Sequence, residues 1–203
     1  MSRLLLVRHG DTELNSAERY WGSTDIKLSA TGIRQAERLR DRLASERIDA
    51  VYSSDLMRAS VTAEIIASKH GLTVITCPEL REINFGKLEG LKFDEISQLY
   101  PEVAKLWAER SPELRYPGGE RRDDFDKRVT AFVERLRKHD PEETVLIVAH
   151  SGVLRTIICL LLGMELRRRW QLYLNLASLS IINTHPQGVV LSLLNDTSHC
   201  DRK

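Results

Sequence analysis

The sequence predicts an α/β fold built on an open sheet, and two stretches carry that prediction. Leu4-Leu5-Leu6-Val7 is an apolar run that stops at Arg8-His9-Gly10, and Thr144-Val145-Leu146-Ile147-Val148-Ala149 is a second that stops at His150-Ser151-Gly152. Short apolar runs closed by turn residues read as buried strands. Each hands a histidine to its carboxyl end, where open α/β sheets hold their active sites. If the two strands are neighbours in one parallel sheet, the two imidazoles meet above that edge. A third observation is composition: 203 residues, 42% hydrophobic and 29% charged, suffice for one well-buried domain and fit neither disorder nor a membrane class.

In chain order, Gly10 lets the backbone turn after the first strand, and 16–27 is a polar and aromatic loop containing Tyr20-Trp21-Gly22. A helix follows, capped by Ser29 or Thr31, with Ile33, Ala36, Leu39 and Leu43 as its buried stripe. Residues 48–52 form a second strand. Ser53-Ser54-Asp55 then caps a helix running to about Lys69, which places Arg58 in its first turn, near amides that attract anions. Residues 72–76 form a short third strand.

From Glu79 periodicity is lost, and Leu80 to Gly90 reads as a functional loop. Phe93 to Trp107 gives one or two short helices broken before Pro101; with the irregular excursion to Gly119 it forms a candidate cap at 91–119. Residues 120–139 form an amphipathic helix with Phe125, Val129, Phe132, Val133 and Leu136 inward. After the second histidine comes an apolar helix to Leu162. Residues 165–175 read as helical with Trp170 packed, 178–183 and 189–194 as a final strand pair, and 196–203 as a frayed tail. No linker or repeat divides the chain, so 1–203 is expected to be a single domain.

The 30 Lys and Arg against 29 Asp and Glu exclude a nucleic-acid binder with a broad basic face. No apolar leader is expected before the first strand and no membrane span is expected, the longest apolar stretch falling well short of ~20 residues. Three widely spaced cysteines, Cys77, Cys159 and Cys200, resemble neither a disulfide framework nor a metal pair, so a reducing, cytoplasmic setting is expected. His199-Cys200-Asp201 lacks the spaced ligand pairs of a zinc site. No metal and no cofactor are expected, nor any nucleic-acid or membrane partner, and the chain is expected to act as a monomer or homodimer.

Two strand-end histidines, a strand-end arginine and a first-turn arginine suit phosphoryl transfer. Guanidinium forks match phosphate oxygens, and fixed cations stabilise the charge that spreads over a transferring phosphoryl group. A histidine in line with the ester bond is a nucleophile when its attacking nitrogen is unprotonated, a form that nearby arginines favour. The leaving alkoxide needs a proton, which Glu82 or Glu89 in the irregular loop could supply. Spacing alone prefers neither. Trp107, Trp170 and Phe132 read as core. Of Tyr20, Trp21, Arg110, Arg115, Tyr116 and Arg121, about one in three is expected to touch substrate.

These residues together resemble the histidine phosphatase superfamily, also called phosphoglycerate-mutase-like. The match runs in order through Leu-Val-Arg8-His9-Gly10-x-Thr12-x-x-Asn15, Leu28-Ser29-x-x-Gly32-x-x-Gln35-Ala36, Tyr52-Ser53-Ser54-Asp55-Leu56-x-Arg58-Ala59-x-x-Thr62-Ala63, Leu80-Arg81-Glu82-x-x-Phe85-Gly86-x-x-Glu89-Gly90 and Ala149-His150-Ser151-Gly152. The resemblance implies a three-layer α/β/α sandwich with a mostly parallel central sheet, and a metal-independent mechanism through a phosphohistidine. It makes His9 the nucleophile, Arg8, Arg58 and His150 the phosphate pocket, and Glu82 rather than Glu89 the proton donor. Asn15 lines the pocket, with the Ser151 and Gly152 backbone beside it.

Within the family, mutases usually carry an arginine after the donor glutamate, where this chain has Ile83. Tyr116-Pro117-Gly118-Gly119-Glu120 is more similar to the α-ribazole phosphatase branch and its broad-specificity relatives, although Arg121 stands where serine is common. The expected activity is hydrolysis of a small phosphomonoester, with α-ribazole 5′-phosphate as one candidate. A phosphoglycerate mutase or sugar-bisphosphate phosphatase is the alternative, and a catalytically silent phosphate-ligand binder is the alternative of another class. A nucleotide-binding module is disfavoured because neither G-x-G-x-x-G nor G-x-x-x-x-G-K-[ST] occurs.

Overall fold

The computed structural model describes residues 3–14 and 19–200. Each apolar run becomes a strand, as a segment that buries both faces must satisfy its backbone sideways. The strands are β1 (Arg3–Arg8), β2 (Ala50–Ser53), β3 (Val74–Thr76), β4 (Thr144–Ala149), β5 (Leu179–His185) and β6 (Gly188–Asp196). They form one sheet in the order β3-β2-β4-β1-β5-β6. The first four in that order run parallel, β5 is antiparallel to β1, and β6 returns as its hairpin partner.

Alternate side chains leave the two faces of the sheet. Leu4 and Leu6 of β1 join Val145, Ile147 and Ala149 of β4 in one core, whereas Leu5 and Val7 join Leu146 and Val148 in the other. The first core is covered by α5 (Arg122–Leu136) and α6 (Ser151–Leu162), the second by α1 (Ala30–Leu43) and α2 (Met57–Ala67). The result is the three-layer sandwich expected. Two further helices, α3 (Phe93–Leu99) and α4 (Pro101–Ala108), break where Pro101 requires. They lie in the expected cap segment. Trp107 of α4 meets Phe85 at 5.5 Å and Tyr116 at 5.4 Å between ring centroids.

Several local expectations change. Ser29 caps α1 by accepting from the Gly32 amide at 3.1 Å, but Ile33 is only half-buried. Ser53, Ser54 and Asp55 do not cap α2; its Met57 amide donates instead to Asp25 Oδ1, brought in from the preceding loop, at 2.7 Å. Between α6 and β5 only Leu166–Gln171 is helical, as a 3-10 helix, and Trp170 is 46% exposed with the Arg110 guanidinium 3.3 Å over its ring. The tail to residue 200 is not frayed. Asp196 ends β6, and Arg42 of α1 bonds both Asp196, at 2.5 Å, and His199, at 2.9 Å. The Arg42 hydrogen bond, with help from Ser198, pulls the Asp196 carboxyl down to about 2. His199 is buried and donates to the Ala177 carbonyl at 2.8 Å.

Gly10 does not adopt the left-handed backbone that a sharp glycine turn implies. Its small size matters because the loop after β1 lies against the start of α1: a Cβ on Gly10 would come 2.7 Å from the Gly32 carbonyl, and a Cβ on Gly32 2.0 Å from that of Asp11. Both contacts are to backbone, which cannot swing aside as a side chain can. Gly32→Ala is therefore expected to lower stability by about 1–3 kcal/mol, the ordinary cost of overpacking, read as a lower Tm together with weaker phosphate-ester turnover. A variant as stable and active as the parent would show that the contact between loop and helix has slack.

Candidate active site

The site grows from one register. β1 and β4 pair in parallel from Arg3 opposite Thr144 to Arg8 opposite Ala149, and the His9 amide continues the ladder to the Ala149 carbonyl at 3.0 Å. Both strands therefore end at the same height, and His9 and His150 leave the sheet side by side, their ring centroids 5.1 Å apart. Both are buried.

Their hydrogen bonds fix the tautomers. His9 Nδ1 lies 2.8 Å from the Gly10 carbonyl, which can only accept, so Nδ1 carries the proton and Nε2 the lone pair. His150 Nδ1 accepts from Arg58 Nε at 3.2 Å, which puts its proton on Nε2; that atom is buried with no partner among the described residues. Arg58 also donates to the carbonyls of Thr24, at 2.7 Å, and Gly22, at 2.6 Å. Arg8 reaches the Leu174 carbonyl at 2.7 Å while its Nε is buried without a partner among the described residues. Burial holds the His9 imidazole well below its ordinary range, and the charges of Arg58 and Arg8 push it further. His150 is depressed in the same way, by burial first and then by Arg58.

The two glutamates that spacing could not separate occupy different places. Glu82 is buried, with Oε2 accepting from the Gly152 amide at 2.8 Å and Oε1 from the Ile83 amide at 3.0 Å. A Cβ on Gly152 would fall 2.3 Å from Glu82 Oε1, so the glycine makes room for the carboxyl. Glu89 instead ties loops together: it accepts from the Ser23, Thr24 and Phe85 amides at 2.8, 2.8 and 3.1 Å and from the Ser23 and Thr24 hydroxyls. Burial alone would raise the Glu89 pKa, but these hydrogen bonds hold it low. The loop that Glu89 secures is the one whose carbonyls hold Arg58.

Arg8, His9, Arg58, Glu82 and His150 thus converge at the carboxyl edge of the sheet, with Gly152 beside Glu82 and its amide already engaged there. Ser151 begins α6 next to His150. Asn15 lies outside the described residues. A cavity of about 370 Å³ opens beside Glu82, walled by Phe85, Trp107, Tyr116, Phe125 and Trp170 and by several arginines. Of the six loop residues singled out from sequence, Arg110 and Tyr116 line it. Trp107 and Trp170, read as core, line it too, and only Phe132 is fully buried core. The sequence gives no local signal for Arg122 and Arg155, on α5 and α6, or for Arg167 and Arg169, on the 3-10 helix, all of which line the cavity. Among the described residues no group of three or more His, Cys, Asp or Glu side chains could hold a metal, and no helix is long and apolar enough to cross a membrane.

The profile of the histidine phosphatase superfamily (branch 1) matches residues 4–197. The chain belongs to that superfamily, whose members hydrolyse phosphomonoesters. It is 36% identical over 199 residues to phosphoserine phosphatase 1 of Hydrogenobacter thermophilus, covering 98% of this chain and 94% of the relative. To the probable phosphoglycerate mutase GpmB of Yersinia pestis it is 33% identical over 206 residues, covering 99% and 96%. Among solved structures, the α-ribazole phosphatase of Shigella flexneri superposes with a TM-score of 0.89 at 33% identity, covering 96% of each chain.

The neutral, buried histidines make stability depend on pH. In the unfolded chain they titrate near 6.5, and in the fold well below it. Below about pH 6.5 the unfolded state binds protons that the folded state refuses, so stability is intact above that pH and falls beneath it. Each histidine contributes a slope approaching about 1.4 kcal/mol per pH unit. Urea unfolding between pH 7.5 and 5 is expected to show this decline, and His150→Gln to remove one proton's share of it. A flat profile, or one that His150→Gln leaves unchanged, would contradict buried neutral imidazoles.

Proposed function

We propose that this chain hydrolyses small phosphomonoesters through a phosphohistidine on His9, without a metal. The observation that carries the reading is the unprotonated Nε2 of His9, fixed by the Gly10 carbonyl and set among Arg8, Arg58 and His150.

In the first step His9 Nε2 attacks phosphorus as the ester P–O bond breaks. Arg8, Arg58 and the His150 Nε2–H hold the oxygens on which charge accumulates, already in place before the reaction. Glu82, entering as the acid, gives its proton to the leaving oxygen. In the second step the Glu82 carboxylate takes a proton from water, the water oxygen attacks phosphorus, and the P–N bond breaks to release inorganic phosphate and free His9. The Gly152 and Ile83 amides keep the Glu82 carboxyl aimed through both steps. The backbone of Ser151 and Gly152 shapes the pocket wall, and Asn15 is assigned to it from the family pattern.

The leaving group belongs to a small metabolite. α-Ribazole 5′-phosphate and phosphoserine are the candidates that the names of the relatives bring forward. A mutase uses the same first step but returns the phosphoryl group to the substrate, so an isomeric phosphate ester in place of inorganic phosphate would favour that alternative.

Glu82→Gln tests the assignment. Alkyl phosphates, whose leaving oxygen needs a proton, are expected to lose about 10²–10⁴-fold in kcat, while an aryl phosphate, which leaves nearly unaided, loses far less in the phosphorylation step. Equal losses for both would assign Glu82 another role.

A further inference from the structure

The Tyr116-Pro117-Gly118-Gly119-Glu120 stretch takes no step in the chemistry above, yet it packs against the loop that carries Glu82. That loop has little of its own to hold it. After the 3-10 turn Pro78–Leu80, residues 81–85 form neither helix nor strand. The Lys87 amide donates to the Pro117 carbonyl at 2.8 Å, and the Glu120 amide to the Asn84 carbonyl at 2.9 Å. The two backbones are in direct contact: a Cβ on Gly119 would fall 2.4 Å from the Asn84 carbonyl.

Glu120 ends this stretch on Arg128 of α5. Its two carboxylate oxygens accept from Arg128 Nε at 2.7 Å and Nη2 at 2.8 Å. The other three N–H groups go to the Glu82 loop. Nη1 donates to the carbonyls of Glu79, at 2.8 Å, and Arg81, at 2.6 Å, and Nη2 to that of Glu82, at 3.3 Å. A guanidinium has five N–H donors in one rigid plane, and here each has an acceptor. Both side chains of the pair are mostly buried. A lysine, with three donors on one atom, cannot span a carboxylate and three carbonyls at once. Arg128 and Glu120 thus fix the main chain from which Glu82 springs, and the Ile83 and Gly152 amides then aim its carboxyl. Proton transfer needs hydrogen-bond reach, and a misplacement of about 1 Å can cost on the order of 10²-fold.

We infer that Arg128 and Glu120 are positioning residues for Glu82, which act on the reaction by holding the proton donor where the leaving oxygen meets it. This inference rests on the reading of Glu82 as the acid and deepens it.

Two variants separate the contributions: Arg128→Lys keeps the charge and loses the fork, and Glu120→Gln keeps the shape and loses the charge. kcat/KM reports only steps up to phosphorylation of His9. For either variant it is expected to fall about tenfold or more with phosphoserine or another alkyl phosphate that the enzyme turns over, and far less with an aryl phosphate. In a Glu82→Gln background, Arg128→Lys is expected to add no further selective loss, because both changes act through one proton. Alkyl and aryl substrates slowed alike, no loss with either, or a full additional loss in the Glu82→Gln background would overturn the assignment. Hydrogen exchange read by NMR judges it without catalysis. Glu82 is the acceptor of the Gly152 and Ile83 amides, so in Arg128→Lys both are expected to exchange faster while the β4 amides keep their rates. Unchanged protection at Gly152 would overturn the positioning role, as would equal acceleration throughout, which marks lost stability alone. Glu82→Gln slowing both substrates equally would overturn the acid reading by itself, and the exchange result would still decide whether the pair holds Glu82.

Discussion

The whole site depends on one pairing, the parallel register of β1 with β4. Arg8 stands opposite Ala149 at the last rung, so two chain segments far apart in sequence turn off the sheet at the same height. A slip of one residue would reverse the faces of every side chain on the slipped strand, sending Leu5 and Val7 into the wrong core and parting the imidazoles. The separate cores on the two faces, each built from alternate residues of the same strands, are what fix that register. The geometry of the candidate site is thus a by-product of hydrophobic packing that has no chemical role.

Electrostatics complete what packing begins. Two imidazoles and two guanidiniums are gathered in a dehydrated edge of the sheet, an arrangement that costs stability unless the polar atoms are bonded. Backbone carbonyls absorb most of that demand: Gly22 and Thr24 for Arg58, Leu174 for Arg8, Gly10 for His9. Carbonyls satisfy donors without cancelling charge, so the pocket stays attractive to anions. Support extends outward. Glu89 secures the 22–24 loop, and Arg128 holds the Glu82 loop by bonding the carbonyls of Glu79, Arg81 and Glu82 while paired to Glu120 at 2.7 Å. Carboxylates are placed where they brace the scaffold and kept out of direct contact with the histidines.

Much of this was legible in the sequence. The strands announced themselves as apolar runs, and His9, His150, Arg8 and Arg58 stood at their ends or in a first helical turn because the local pattern, strand then loop then helix, places them there. Glu82 and Glu89 could not be told apart by spacing, since the difference lies in what folds against each: Gly152 from 70 residues away for one, the 22–24 loop for the other. The tail reads as frayed because of its polar composition, whereas the hydrogen bonds that hold His199 come from Arg42 on a distant helix and the Ala177 carbonyl. Arg122 and Arg155 carry no sequence signal for a similar reason. On an amphipathic helix an arginine that faces a cavity and one that faces water look alike.

The proposed chemistry turns on covalent attachment of the phosphoryl group to His9. The most direct measurement is rapid mixing of the enzyme with an aryl phosphate labelled in its phosphoryl group, an alkaline quench that preserves phosphohistidine, and mapping of the label by mass spectrometry. The predicted result is label on His9 that forms and decays at rates consistent with turnover, and none in a His9→Ala variant. Phosphate release with no labelled protein at any time, or label on a different residue, would contradict it.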